Sequence, residues 1–343
     1  MDTSPFDTET YRRARIAAVQ AEYAWSDSGF AQKSEAERTQ WQETFRDKFA
    51  FLLGNLNAWE RPPLAPIVSE VVQCDGYRRE TITFTTRPGL TAFGYFLIPD
   101  NLPAASPAML CIPGHGVGVD GMCGLQAEEY AEDFALQCVR QGYPTFGLEI
   151  TGFGRRRDTA AKRIGPNTSS CMRDSTAALM LGETMSGWRV WDAMRALDYL
   201  QARTDCVDPE HLGIMGISGG GLVSLFTAAL DTRLTACVVS SYFNTFADSV
   251  LSIDHCVDNY VPGLLHLCEM PDLTALVAPR ALFAVTGDTD PIFPIGAFHE
   301  AARQTEEIYR VFECPDRFGT EIFEGGHRFK GDGAFEFLRK HLG

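Results

Sequence analysis

A chain of 343 residues is long enough for one large α/β domain with an appendage, or for two modest domains, and can bury a sizeable core. Hydrophobic residues at 45% and charged residues at 22% describe a compact folded protein and exclude a disulfide-stapled miniprotein. Thirty basic against forty-five acidic residues leave a net charge of −15, which repels nucleic acid and anionic bilayers alike unless a local basic patch intervenes.

The first residues, Met1-Asp-Thr-Ser-Pro-Phe-Asp-Thr-Glu, lack the cationic start and apolar stretch of a secretory signal. No apolar run approaches the roughly 18 to 20 residues that span a bilayer. A cytoplasmic protein that meets neither membrane nor nucleic acid is expected. Residues 8–56 are helical in pattern: Ser34 and Glu37 are spaced as a capping box, and Trp41, Phe45, Phe49 and Leu52 share one helix face. The proline-rich stretch Glu60-Arg-Pro-Pro-Leu-Ala-Pro stops that pattern, because proline cannot continue a helix. This predicts an N-terminal helical extension over 1–62 and an α/β domain over 63–343.

Residues 66–98 alternate β-branched and aromatic positions around Arg87-Pro-Gly, the pattern of an antiparallel hairpin. Short apolar runs then recur at 108–112, 145–150, 212–217, 235–240 and 281–286, with helical stretches at 126–140, 188–203 and 221–229. Strand and helix in alternation predict a mostly parallel sheet with helices on both faces. The ten cysteines are dispersed without a C-x-x-C pair and read as reduced packing residues.

The most informative segment runs from His211 to Ala229. A buried strand leads into Gly216-Ile217-Ser218-Gly219-Gly220, the pattern G-x-S-x-G, and a helix follows. Side chains two residues either side of the serine would collide in so tight a turn, so glycine is needed there and the hydroxyl is left exposed at a helix N-terminus. A serine hydroxyl is a poor nucleophile at neutral pH and needs a base, held in turn by an acid. On this element the acid and base follow the serine in chain order. Gly287-Asp288-Thr-Asp290-Pro comes at the end of an apolar strand, and Gly325-Gly-His327 lies in a glycine-rich loop before a closing helix at 335–342. His327 is the candidate base, while His299 and His341 fall on helix surfaces. Asp290 is preferred as the acid over Asp288, which suits a turn cap; Asp248 and Asp254 are rivals.

The oxyanion formed on attack needs two fixed donors. The backbone amide of Gly219 is one, and the loop Pro113-Gly114-His115-Gly116 offers the other from His115 or Gly116, with the His115 ring free to turn inward instead. Phe153, Tyr242, His255 and Phe293 are candidate pocket residues because they follow strand ends. Glu149 beside Arg155, Arg156 and Arg157 predicts an ion pair under the site. Gly116-Val-Gly118-Val-Asp-Gly121 satisfies G-x-G-x-x-G, but Pro113 interrupts the turn and helical pattern resumes only after Gly124, so no dinucleotide is expected. With no H-E-x-x-H cluster either, no cofactor and no metal are expected.

Taken together, the Pro-Gly-His-Gly loop at 113–116, Leu148-Glu-Ile-Thr-Gly-Phe-Gly-Arg-Arg, the helical segment Trp191–Leu200, the glycine-flanked Ser218 and Gly287-Asp-Thr-Asp-Pro-Ile-Phe-Pro resemble the acetyl xylan esterase and dienelactone hydrolase branch of the α/β-hydrolases. The resemblance covers roughly 65–343. It implies an α/β-hydrolase fold, Ser218 as nucleophile, Asp290 as acid, His327 as base, and Gly114-His115-Gly116 with Gly219 as the oxyanion hole. The expected activity is a serine hydrolase acting on a carboxylic ester of a small molecule or carbohydrate, in a chain that assembles as a homo-oligomer. The same three residues would equally serve a peptide, a lactone or a carbon–carbon bond next to a ketone, and a hydrolase-fold protein that binds a ligand without catalysis is the reading from another class. The helical extension and inserts at about 152–186 and 241–275 depart from the simplest members of that branch, so the pocket is expected to be shaped by them.

Overall fold

A computed structural model describes residues 7–102, 105–127, 130–166 and 168–342, apart from the side chain of Asp27. Its sheet contains β1 (Ile67–Gln73), β2 (Tyr77–Arg87), β3 (Leu90–Pro99), β4 (Ser106–Ile112), β5 (Thr145–Leu148), β6 (Val207–Ile217), β7 (Leu234–Ser240), β8 (Ala281–Gly287) and β9 (Phe318–Phe323). Their spatial order is β1-β2-β3-β5-β4-β6-β7-β8-β9. The three strands at the first edge and the β3–β5 pair are antiparallel; every pairing from β5 through β4 to β9 is parallel. This is the expected α/β-hydrolase fold, with the hairpin formed by β2 and β3.

The parallel strands are apolar on both sides because both faces are covered. Side chains alternate between two cores: Leu110, Ile112 and Ile214 point into one, Met109, Cys111, Met215 and Ile217 into the other. Helices Glu35–Leu52, Met185–Ala202, Gly219–Leu230 and Ile295–Val311 fill the first face, and Phe134–Arg140 with Asp332–His341 fill the second.

The N-terminal helices share the first of these cores. Glu35–Leu52 begins with the expected capping box, Ser34 and Glu37 satisfying each other's backbone amides. Phe45, Phe49 and Leu53 are fully buried, with the Phe49 ring edge-on to Phe226 at 4.9 Å. Arg46 donates to the carbonyls of Ala229 and Leu276 and so satisfies acceptors that the ends of two other helices leave open.

Two expectations need correction. Of the helix expected at 126–140, positions 128 and 129 lie outside the described residues; the helix runs from Phe134 to Arg140, and Glu132 and Asp133 just before it have left-handed backbone angles (φ 48° each) that no continuing helix tolerates. The run at 318–323 also forms a strand, β9, that the sequence reading missed; its alternating burial and internal Gly319 give a weak signal typical of an edge. All ten cysteines are free thiols, seven of them buried. No helix among the described residues is long and apolar enough to cross a membrane.

Candidate active site

Ser218, His115, Asp290 and His327 lie beyond the C-terminal ends of β6, β4, β8 and β9, the edge at which open parallel sheets place their ligands. Ser218 has φ 52° and ψ −123°, a conformation that L-residues rarely adopt, and it is the N-cap of Gly219–Leu230. The flanking glycines are sterically required. A Cβ on Gly216 would stand 2.3 Å from the Gly220 carbonyl oxygen, and one on Gly220 would stand 2.1 Å from that of Ile112. The turn is held by the Ser218 amide donating to the Ser240 carbonyl at 2.9 Å.

His327 Nδ1 is hydrogen-bonded to Asp290 Oδ2 at 2.7 Å. The other oxygen of this buried carboxylate accepts from the amides of Ile292 (2.9 Å) and Phe293 (3.2 Å), which fix its orientation. Asp288 instead accepts from the Gly325 amide at 2.9 Å, closing the loop that carries His327. Asp248 is hydrogen-bonded to Thr245 and takes no part in the site. The His327 ring is stacked between Tyr130 (centroids 5.4 Å apart) and Phe293 (5.7 Å), so its plane is set from both sides.

Ser218 and His327 open into one cavity of about 380 Å³, lined also by His115, Tyr130, Ile253, Asp254, His255, Cys256 and Ile292. Of the expected pocket residues, His255 lines it. The other three stand behind its wall: Tyr242 and Phe293 are fully buried with rings 5.0 Å apart, and Phe153 packs edge-on against the His115 ring at 4.8 Å. Burial holds the His255 imidazole below its ordinary range, with His115 adding to the effect, so the ring is neutral at neutral pH.

The ion pair expected for Glu149 is not what forms. Glu149 accepts from the backbone amides of Val119 (3.1 Å) and Arg155 (3.3 Å). Arg155 pairs with Asp120, Arg156 with Asp192, and Arg157 donates to the carbonyls of Gly154, Gly165 and Thr168. Burial pushes the Glu149 carboxyl up to about 7 against the pull of those amides.

The His115 ring is turned inward. Its Nε2 is hydrogen-bonded to Asp258 Oδ2 at 2.8 Å, and Asp258 also meets Arg189 Nη1 at 2.5 Å. Donor atoms of His115, Cys171, Cys256 and Asp258 lie within 4.8 Å of one another, a ligand set that suits zinc by composition. The Arg189 guanidinium, however, already occupies both Asp258 and the Cys171 sulfur (3.1 Å). Two of the four donors are therefore already engaged, and among the described residues the set is a hydrogen-bonded cluster built around the Asp258 carboxylate. Sequence reading missed Tyr130, Arg189 and Asp258. One signal was present: Arg189, Asp192 and Arg195 recur every third residue on a helix otherwise apolar on that side, and all three are buried.

The chain has relatives. YtaP of Bacillus subtilis (strain 168), provisionally described as a hydrolase, is 29% identical over 287 residues, covering 80% of this chain and 90% of its own. A crystal structure from Bacteroides fragilis NCTC 9343, provisionally described as an acetyl xylan esterase, superposes with TM-score 0.76 at 20% identity, over 98% of this chain and 90% of that one. A glucuronoyl esterase from Solibacter usitatus superposes with TM-score 0.69 at 15% identity, over 90% of this chain and 94% of that one. At these identities the two structures speak for the fold. The pattern of the Abhydrolase family matches residues 12–320, and with that match spanning the helical extension as well as the sheet, the chain belongs to the Abhydrolase family.

Proposed function

We propose that the protein is a serine hydrolase that cleaves a carboxylic ester of a small molecule or carbohydrate, with Ser218 as nucleophile, His327 as base and Asp290 as the acid that orients it. One observation carries the reading. Ser218, strained on its glycine turn, and His327, pinned through Nδ1 to Asp290, share the wall of a single cavity although they come from loops after two different strands. With Nδ1 committed to Asp290, Nε2 is the ring atom that serves the serine.

His327 Nε2 takes the Ser218 proton as Oγ attacks the ester carbonyl. The carbonyl oxygen becomes negative, and the Gly219 amide at the helix N-terminus is placed to stabilise it together with the His115–Gly116 loop. Collapse breaks the C–O bond, the alcohol leaves with the proton from His327, and an acyl-serine remains. Water, deprotonated by His327, then releases the acid and restores Ser218. An ester substrate is supported by the names of the structural neighbours, which include acetyl xylan, glucuronoyl and methyl esterases.

The test is Ser218→Ala assayed with 4-nitrophenyl acetate, together with labelling of the parent by a fluorophosphonate. The substitution is expected to lower kcat by about ten-thousand-fold or more, and the label to appear on Ser218 by peptide mass spectrometry. Hydrolysis that persists in the variant would place the chemistry elsewhere.

A further inference from the structure

Asp258 is the hub of a cluster for which the proton relay through His327 has no use. It lies in the short turn Val257–Asn259, and its side chain is fully buried. Oδ2 accepts from His115 Nε2 (2.8 Å), Arg189 Nη1 (2.5 Å) and Cys171 Sγ (3.4 Å); Oδ1 accepts from Asn259 Nδ2 (2.8 Å). Arg189 is also buried, and its Nε and Nη2 both donate to the Thr151 carbonyl, at 3.1 and 2.9 Å. A guanidinium held on both sides of its planar fork has little freedom, so Asp258, and through it the His115 ring, is positioned from Met185–Ala202.

The consequence lies on the opposite edge of that ring. A Cβ on Gly219 would stand 2.8 Å from both Nδ1 and Cε1 of His115, so this edge rests against the residue that follows Ser218. The ring is about a quarter exposed, 26% by side chain, and that exposure opens on the cavity shared with Ser218 and His327.

We propose that the His115 side chain is a charged oxyanion donor: aimed by Asp258 and Arg189, its Nδ1–H binds, beside the Gly219 amide, the oxygen that turns negative when Ser218 attacks. This rests on the reading of Ser218 as nucleophile. Arg189 and His115 as cations with Asp258 as anion leave the cluster one positive charge in excess, and a developing oxyanion cancels it. Burial alone would lower the His115 imidazole, but its hydrogen bonds with Asp258 and Cys171 outweigh burial and raise it to about 9, so both ring nitrogens carry protons at neutral pH. Charge-assisted donors are roughly twice as strong as neutral ones. His115 is thus a catalytic residue, whereas Asp258 and Arg189 are positioning residues.

The test compares His115→Ala and His115→Gln in the full chain, using 4-nitrophenyl acetate turnover and the affinity for phenylboronic acid, whose anionic tetrahedral adduct on serine puts a boron-bound oxygen in the same place. Removing one oxyanion donor is expected to lower kcat by about 100- to 1000-fold, with KM within about threefold and the boronate affinity falling in parallel. The Gln variant, which keeps an N–H, recovers part of both. Thermal melting confirms folding, since either variant leaves the Asp258–Arg189 pair intact. A kcat within about threefold of the parent in His115→Ala overturns the proposal, as does a loss confined to KM, or a fall in kcat with unchanged boronate affinity. So does stoichiometric zinc in the purified protein whose chelation abolishes turnover. Failure of the underlying reading shows separately, as Ser218→Ala retaining activity.

Discussion

Two carboxylate–imidazole pairs flank Ser218, and they are built in opposite ways. Asp290 is held by two backbone amides and one imidazole nitrogen, so among the described residues no guanidinium or ammonium competes with His327 for its charge. Asp258 is held by a buried guanidinium as well as by His115, and its carboxyl lies well below the usual carboxylate range because Arg189 and then His115 outweigh the effect of burial. The first environment suits an imidazole that must exchange a proton during each cycle. The second suits one that keeps its proton and donates from a fixed position. On the proposed reading, the same two residue types serve different ends according to what else touches the carboxylate.

The contrast can be broken most severely at the first pair. Asp290→Asn leaves the shape but favours the wrong tautomer of His327, and steady-state assays are expected to show kcat down by about ten-thousand-fold. Asp288→Asn, two residues away, touches only the loop closure at Gly325 and is expected to leave kcat within about tenfold. Equal losses at the two positions would mean that Asp290 is not the orienting acid.

At the second pair the expected loss is shared between rate and stability. Asp258→Asn leaves Arg189 buried without its counter-charge, which costs on the order of 3 kcal/mol in urea unfolding. Its kcat is expected to fall less than in His115→Ala, because the ring stays in the loop but is no longer aimed. A variant as stable as the parent would show that the cluster is not tightly coupled.

The smallest expected effect is one of pH. The His115 imidazole titrates near 9 in the folded protein against an ordinary value of 6.5, so its contribution to stability is complete below about pH 6.5 and is lost as pH rises through about 9. The urea-unfolding difference between the parent and His115→Gln is expected to shrink across that interval. A difference that stays constant from pH 6 to 10 would mean that the ring carries no extra proton.

The strand, glycine turn and helix around Ser218 were legible because each depends on residues within a few positions: the spacing of Gly216 and Gly220 about the serine is itself the steric condition for the turn. The capping box at Ser34 and Glu37 is local in the same sense. Sheet class followed from the recurrence of apolar runs, and the chain order of Ser218, Asp290 and His327 from the motif. By contrast, Tyr130 to Asp133 reads as the continuation of a helix by composition but is not one, since Glu132 and Asp133 take left-handed backbone angles.

What the sequence determined by itself was the local geometry of the nucleophile turn and the presence of a parallel sheet, because short-range sterics and periodicity are enough to specify both. Only the tertiary structure decided which aspartate reaches His327, 37 residues away, and that His115 finds Asp258, 143 residues on, with Arg189 between them in the chain. It also decided that Tyr130 and Phe293 brace the His327 ring while Tyr242 stays behind the wall. These partnerships leave no periodic trace: the contacts form between loops that meet only once the strands have paired in order, and a charged side chain's partner is set by which loop ends lie side by side.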